Sequence, residues 1–232
     1  MTRGWLVGLA VMVFAGSAVA QDQAPLKTQK EKISYALGMD LGNQLMKQSV
    51  DVDPNVFVRG LKEALAGGKT LMTGDEARSL IAALQKDLVT KQLAASQALG
   101  AKNTKEGTAF LAENGKKPGV ITLPSGLQYK ALTMGTGKKP TIEDTVVCHY
   151  RGTLLDGKEF DSSYRRNEPL TLQVKGVIKG WSEALQLMPV GSKWQLFIPP
   201  QLAYGERGAN ENIGPNATLI FEVELISIKD KS

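Results

Sequence analysis

The sequence predicts an α+β chain, with helices first and an antiparallel sheet after them. Up to about Leu93, apolar residues recur every third or fourth position, the spacing of one helix face; beyond about residue 120 they alternate, the spacing of a half-buried strand. Between the two, "AENGKKPG" supplies Gly115, Pro118 and Gly119 as a helix stop and linker. The expected organisation is a signal peptide over 1–20, a helical dimerisation domain over 21–72, a linking helix over 73–114 and a β-rich domain over 115–232.

The first twenty residues, "MTRGWLVGLAVMVFAGSAVA", join Arg3 to an apolar run and to small residues Ala18 and Ala20 before Gln21. That is the pattern of a cleaved secretory signal. The apolar run is broken by Gly and Ser, and is shorter than the roughly 20 residues a membrane span needs. Cys148 is the only cysteine, so no intramolecular disulfide can form, and its setting "TVVCHYRG" reads as a buried strand position.

The first helix follows from Ile33, Leu37, Leu41 and Leu45, with Ala36 beside them. In "DPNVFVRGLKEALAGG", Asp53 can cap, Pro54 suits the first helical position, and Phe57, Leu61 and Leu65 share a face that Gly67 and Gly68 end. Thr73 and Glu76 form a capping box for a third helix from Asp75 to about Asn114, roughly 60 Å at 1.5 Å per residue. Its stripe of Leu80, Ile81, Leu84 and Leu88 fades after Leu93, so the remainder reads as a spacer, with Gly100 and Gly107 as bending points. The short helices are too small for a core of their own. Burying Ile33, Leu37, Leu41, Phe57 and Leu61 therefore predicts a homodimer through residues 27–88.

In the second half, Leu127 and Tyr129, then Val146, Cys148 and Tyr150, then Leu170, Leu172 and Val174 alternate with polar or outward positions. Trp194, Leu196 and Ile198 make a further strand face, and Leu219, Phe221, Val223 and Leu225 the last. Asp156-Gly157 is a hairpin signal. One helix interrupts the strands: "GWSEALQLM" carries Trp181, Ala184, Leu185 and Met188 at i, i+3, i+4 and i+7 before Pro189. A sheet with one apolar helix laid on it is the expected core.

Composition is that of a globular protein, 42% hydrophobic and 22% charged, with a formal charge of +5 that becomes +4 once Arg3 leaves with the signal. The basic residues are dispersed and not interleaved with aromatics, which argues against nucleic acid and leaves a mild attraction to anionic membrane surfaces open. His149, the single histidine, lies between Cys148 and Tyr150 in a strand and reads as a structural outward residue, which argues against histidine triads and multi-histidine metal sites, and no cofactor fingerprint is evident. What stands out is Asp161, directly after Phe160, in a chain whose other aromatics include Tyr150, Trp181, Tyr204 and Phe221. The residues alone leave two readings, a plain core or an aromatic pocket with an acid at its edge.

The segments "VVCHYRGTLLDGKEFDSSYRRNEPLTLQV", "GVIKGWSEALQLMPVGSKWQLFIPPQLAYGERG" and "NATLIFEVELISI" resemble, in order and spacing, the FKBP-type peptidyl-prolyl cis-trans isomerase domain, over about Gly119 to Lys229. With the signal, paired helices and long arm, the chain resembles the macrophage infectivity potentiator-like branch of exported dimeric FKBPs. The resemblance implies a curved antiparallel sheet wrapped over the short helix, with an apolar pocket between them. It implies Asp161, Tyr204, Tyr150 and Phe221 as catalytic residues, Phe160, Val177, Ile178, Trp181, Ile213 and Leu170 as substrate-binding ones, and Arg166 as support. Trp181 would form the floor, and Tyr204 and the Ile178 amide would bond the peptide's carbonyls. Two positions depart from the pattern: Leu170, often aromatic, and "ANEN" over Ala209–Asn212, often more apolar.

The function so implied is isomerisation of X-Pro bonds in unfolded exported proteins and proline-containing peptides, with no metal or cofactor and with affinity for FK506- or rapamycin-type macrolides. The implied location is the periplasm or outer membrane of a Gram-negative bacterium, or secretion. The alternative is a chaperone or adhesion protein that grips clients between its arms, with isomerisation incidental.

Overall fold

The computed structural model describes residues 25–229, and the signal segment lies outside them. Helix α1 spans Gln29–Lys47, closed at its start by a capping box in which the Thr28 hydroxyl accepts from the Glu31 amide and the Glu31 carboxylate from the Thr28 amide. Helix α2 spans Pro54–Leu65, capped by the Asp53 carboxylate, which accepts from the amides of Asn55 and Val56. Neither helix has a buried residue, and Leu37 is 67% and Leu61 50% exposed.

Helix α3 runs without interruption from Gly74 to Asn114, its start held by reciprocal bonds between Thr73 and Glu76. Gly100 and Gly107 do not interrupt it. Both lie within the continuous helix and are buried, together with Asn114. The spacing is seven residues, two turns, so the three positions stack on one face. That face carries the helix onto the β-rich region. Gly100 lies against Pro215 and Gly107 against Thr218; Phe110 meets Phe197 with ring centroids 5.8 Å apart. At the foot of the helix the Gln128 side-chain amide donates to the Leu111 carbonyl at 2.8 Å, and its oxygen accepts from Asn114 at 3.0 Å. The segment expected to be a linker is thus tied down at Asn114.

The sheet is antiparallel throughout, in the order β1 (Val120–Thr122), β2 (Gln128–Thr133), β6 (Lys193–Ile198), β7 (Leu219–Ile228), β3 (Thr145–Thr153) and β4 (Glu159–Ser162), with β5 (Leu170–Gln173) also on β3. One edge of β3 pairs along its length with β7. The other is divided: Thr145–Cys148 pair with β5 and Arg151–Thr153 with β4. Register shifts interrupt the β2–β6, β3–β4 and β3–β7 ladders, and such bulges increase local twist and bend.

Helix α4 (Lys179–Leu185) lies on the inner face, burying Trp181, Ala184 and Leu185 against Val146, Leu196, Val223 and Leu225, with Met188 buried just beyond its end. Each large apolar side chain buried here contributes about 1.5–3 kcal/mol relative to exposure. Gly180 permits the close approach, because a Cβ there would come within 2.6 Å of Ile198. Cys148 is buried in β3 as expected, and burial pushes its thiol up to about 12.

Candidate active site

The divided edge of β3 makes the site. Between its two pairings, the Ser163 hydroxyl accepts from the Tyr150 amide at 2.8 Å, and the Ser163 amide donates to the Tyr150 carbonyl at 3.0 Å. This fixes the chain just after β4 and presents Asp161 opposite Gly152. Gly152 faces Phe221 on its other side, and a Cβ at that position would lie within 2.7 Å of both the Phe160 and Phe221 rings. Only glycine lets those two rings meet, edge to face, at 5.4 Å.

The rings continue inward. Trp181 on α4 stands edge to face with Phe221 at 5.2 Å and with Tyr150 at 5.3 Å. Alternation on β3 and β7 sends Tyr150 and Phe221 inward, and the first turn of α4 sends Trp181 up to meet them. Around these rings lies a cavity of about 550 Å³. Phe160, Asp161 and Leu170 line it, as do Val177 and Ile178 at the start of α4 and Tyr204 and Ile213 from the loop before β7. The Ile178 carbonyl accepts from Trp181 and Ser182, while its amide has no backbone acceptor among the described residues.

Polar groups converge on one wall. The Tyr150 hydroxyl donates to Asp161 Oδ2 in a short bond, Arg166 Nη1 donates to Asp161 Oδ1, and Arg166 Nη2 donates to the Tyr150 oxygen at 2.8 Å. The Ser162 amide adds a fourth bond, to Asp161 Oδ1 at 2.8 Å. Partial burial alone would raise the Asp161 pKa, but the bonds from Tyr150 and Arg166 and the guanidinium charge hold it below the usual carboxylate range. Burial and the bond to Asp161 push the Tyr150 phenol upward, against a smaller opposing effect of Arg166. At neutral pH the wall is therefore carboxylate, phenol and guanidinium, each in its ordinary charge state.

All ten aromatic, apolar and acidic residues named from the sequence line this cavity; Arg166 does not, and reaches it only through Tyr150 and Asp161. Leu172, Gly176, Ala209, Asn210 and Asn212 line it too. Leu172 was findable, two residues beyond Leu170 on the same strand face. Gly152, which shapes the aromatic wall without lining the cavity, carried no signal beyond being a glycine in a strand. Among the described residues, no three His, Cys, Asp or Glu side chains converge as a metal site.

Residues 136–226 match the family model described as FKBP-type peptidyl-prolyl cis-trans isomerase, and residues 30–131 match that of the domain amino-terminal to it. The chain is 45% identical over 226 residues to the outer membrane protein MIP of Legionella longbeachae, covering 97% of each chain. It is 44% identical over 231 residues to the peptidyl-prolyl cis-trans isomerase Mip of Coxiella burnetii, covering 100% of each. The crystal structure of FkpA from Escherichia coli superposes with a TM-score of 0.68 at 37% identity, over 88% of this chain and 99% of that one. An aromatic pocket walled by a bonded acid, a sheet over one short helix, and relatives matched from end to end agree: the chain belongs to the FKBP-type peptidyl-prolyl cis-trans isomerase family, in its Mip-like branch with an amino-terminal helical domain.

Proposed function

We propose that this peptidyl-prolyl cis-trans isomerase acts on exported proteins as they fold, seating the proline ring of an X-Pro segment among Trp181, Tyr150, Phe221 and Phe160. The observation that carries this reading is the set of edge-to-face rings lining a cavity of about 550 Å³, within the usual range for ligand sites.

Rotation about the peptide C–N bond is opposed by about 18–20 kcal/mol, because resonance gives the bond double-bond character. The twisted amide has lost that resonance and is less charge-separated, so an apolar cavity favours it over the planar ground state. The Tyr204 hydroxyl and the Ile178 amide serve as donors to the peptide carbonyls. A barrier lowered by about 7 kcal/mol corresponds to roughly 10⁵-fold acceleration, and no bond need be broken. Asp161 acts mainly by orienting Tyr150 and Arg166, since every hydrogen bond to its carboxylate comes from within the wall.

A protease-coupled assay on a short X-Pro peptide tests the reading. Wild type should accelerate isomerisation and Trp181→Ala should abolish most of the effect; an unchanged rate with wild type would refute it. Full activity and full FK506 affinity in Asp161→Leu would refute the role given to Asp161. The binding-only alternative is not favoured, since relatives matched over most of their length bear isomerase names.

Two further elements belong to the proposal. The exposed apolar faces of Ile33, Leu37, Leu41, Phe57 and Leu61 fit a homodimer through residues 27–88. Export to the cell envelope fits the signal-like first twenty residues and the outer-membrane name of one relative. Sedimentation at micromolar concentration and cell fractionation test these separately.

A further inference from the structure

We infer that the last turns of α3 are a positioning element of the isomerase site: Asn103 and Gly107 set the loop that carries Tyr204 and Ile213. The inference rests on the isomerase reading for its catalytic consequence, though its geometric part can be tested without activity.

The path is short and made of directed contacts. Asn103 Nδ2 donates to the Pro215 carbonyl at 2.8 Å. The next residue, Asn216, has a left-handed φ of 54°, and its amide donates to the Gly205 carbonyl at 2.8 Å, one residue from Tyr204. On the other side of Pro215, Gly214 sits under the helix so closely that a Cβ would come within 2.9 Å of Leu99 and 3.4 Å of the Asn103 amide. Gly214 directly follows Ile213, which closes the loop by exchanging backbone bonds with Ala209 at 2.8 and 3.0 Å. Helix, Gly214–Asn216 and the two pocket residues are therefore joined without a flexible intermediate.

Gly107 makes the second grip. Thr218 is 2% exposed, its hydroxyl has no hydrogen-bond partner among the described residues, and a Cβ on Gly107 would overlap that hydroxyl. Thr218 precedes Leu219, the first residue of β7, and Phe221 follows two residues later. A helix that presses on residues 214–218 thereby touches the roots of Tyr204, Ile213 and Phe221 together. Catalytic geometry is sensitive at this scale, since displacements of about 1 Å can cost up to 100-fold in rate.

Full-length chains carrying Asn103→Ala, Gly107→Ala, Gly107→Ala with Thr218→Ala, and Gln128→Ala separate positioning from stability. Gln128 fastens the foot of the same helix but not the loop. Asn103→Ala should lower kcat/KM on an X-Pro peptide about twofold to tenfold, the worth of one hydrogen bond. It should also move the amide resonances of Tyr204 and Ile213 in the free protein. Gly107→Ala should do the same, and the added Thr218→Ala should reverse it by removing the overlapping hydroxyl. Gln128→Ala should lower the melting temperature yet leave kcat/KM and both resonances in place.

Wild-type kcat/KM and unmoved resonances in folded Asn103→Ala would overturn the inference, as would Gln128→Ala reproducing the changes. If Gly107→Ala does not fold, Asn103→Ala still decides, because it adds no atoms. If wild type itself proved inactive, the isomerase reading would fall, and the resonances alone would decide whether the helix sets the loop.

Discussion

The two ends of α3 invert the usual relation between hydrophobicity and burial. Its first turns carry Leu80, Ile81, Leu84 and Val89, all exposed, with Val89 at 65%. Its last turns carry Gly100, Asn103, Gly107 and Asn114, and it is among these that the helix's buried residues lie. Large side chains at the first end keep a neighbour's backbone at a distance and await a surface to cover them. Small ones at the second end let the backbone of residues 214–218 come to van der Waals contact, where one amide donor, Asn103, can then fix the register.

The largest effect should come from breaking the first end. Leu80→Asp with Leu84→Asp would place charges in the proposed dimer contact, and an unpaired buried charge costs several kcal/mol. Association measured by sedimentation should weaken at least a hundredfold, while the rate per chain on a short peptide stays unchanged. At the second end, Gly107→Leu should destabilise the β-rich region by about 3 kcal/mol through overpacking, read from Trp181 and Trp194 fluorescence in urea. Gln128→Ala should cost about 1–3 kcal/mol, because it strands the buried Asn114 amide and leaves the Leu111 carbonyl with the Gly115 amide alone. Leu93→Ala, between the two ends and 58% exposed, should stay within about 0.5 kcal/mol.

The smallest effect concerns the site wall. The Asp161 pKa is depressed in the folded chain, so its stabilisation is present above the unfolded carboxylate value near 3.9 and is lost as pH falls through the folded value. Arg166 and Asp161 are both partly in solvent, so screening keeps the contribution well under about 1 kcal/mol. The stability gap between wild type and Asp161→Asn should narrow between about pH 5 and pH 2, with no change from pH 6 to pH 8. A gap that widened toward acid would mean the wall holds a protonated acid instead.

What the sequence made legible was local or periodic. Asp53 and Thr73 announced helix starts because a cap and its amide lie within three residues of each other. Alternation announced β3, β6 and β7 because one face of each is buried. The docking of α3 was invisible for the opposite reason: Gly100 and Gly107 read as weak points by helix propensity, whereas their effect depends on Pro215 and Thr218, more than a hundred residues away. At the site, Tyr150, Asp161 and Trp181 were placed through the order and spacing of whole motifs. The bond from Arg166 to Tyr150, and the part of Gly152 in admitting two rings, depend on the β3–β4 register and needed coordinates.

Cys148 has a practical consequence. A thiol buried in β3 and pushed up to about 12 is closed to alkylating reagents and to disulfide exchange for as long as the strand is paired on both edges. Among the described residues it is the sole sulfhydryl, so any labelling reports the moment β3 opens. The molecule carries its own unfolding clock: the rate of thiol capture, followed against temperature or denaturant, would time the opening of the isomerase core without an added probe.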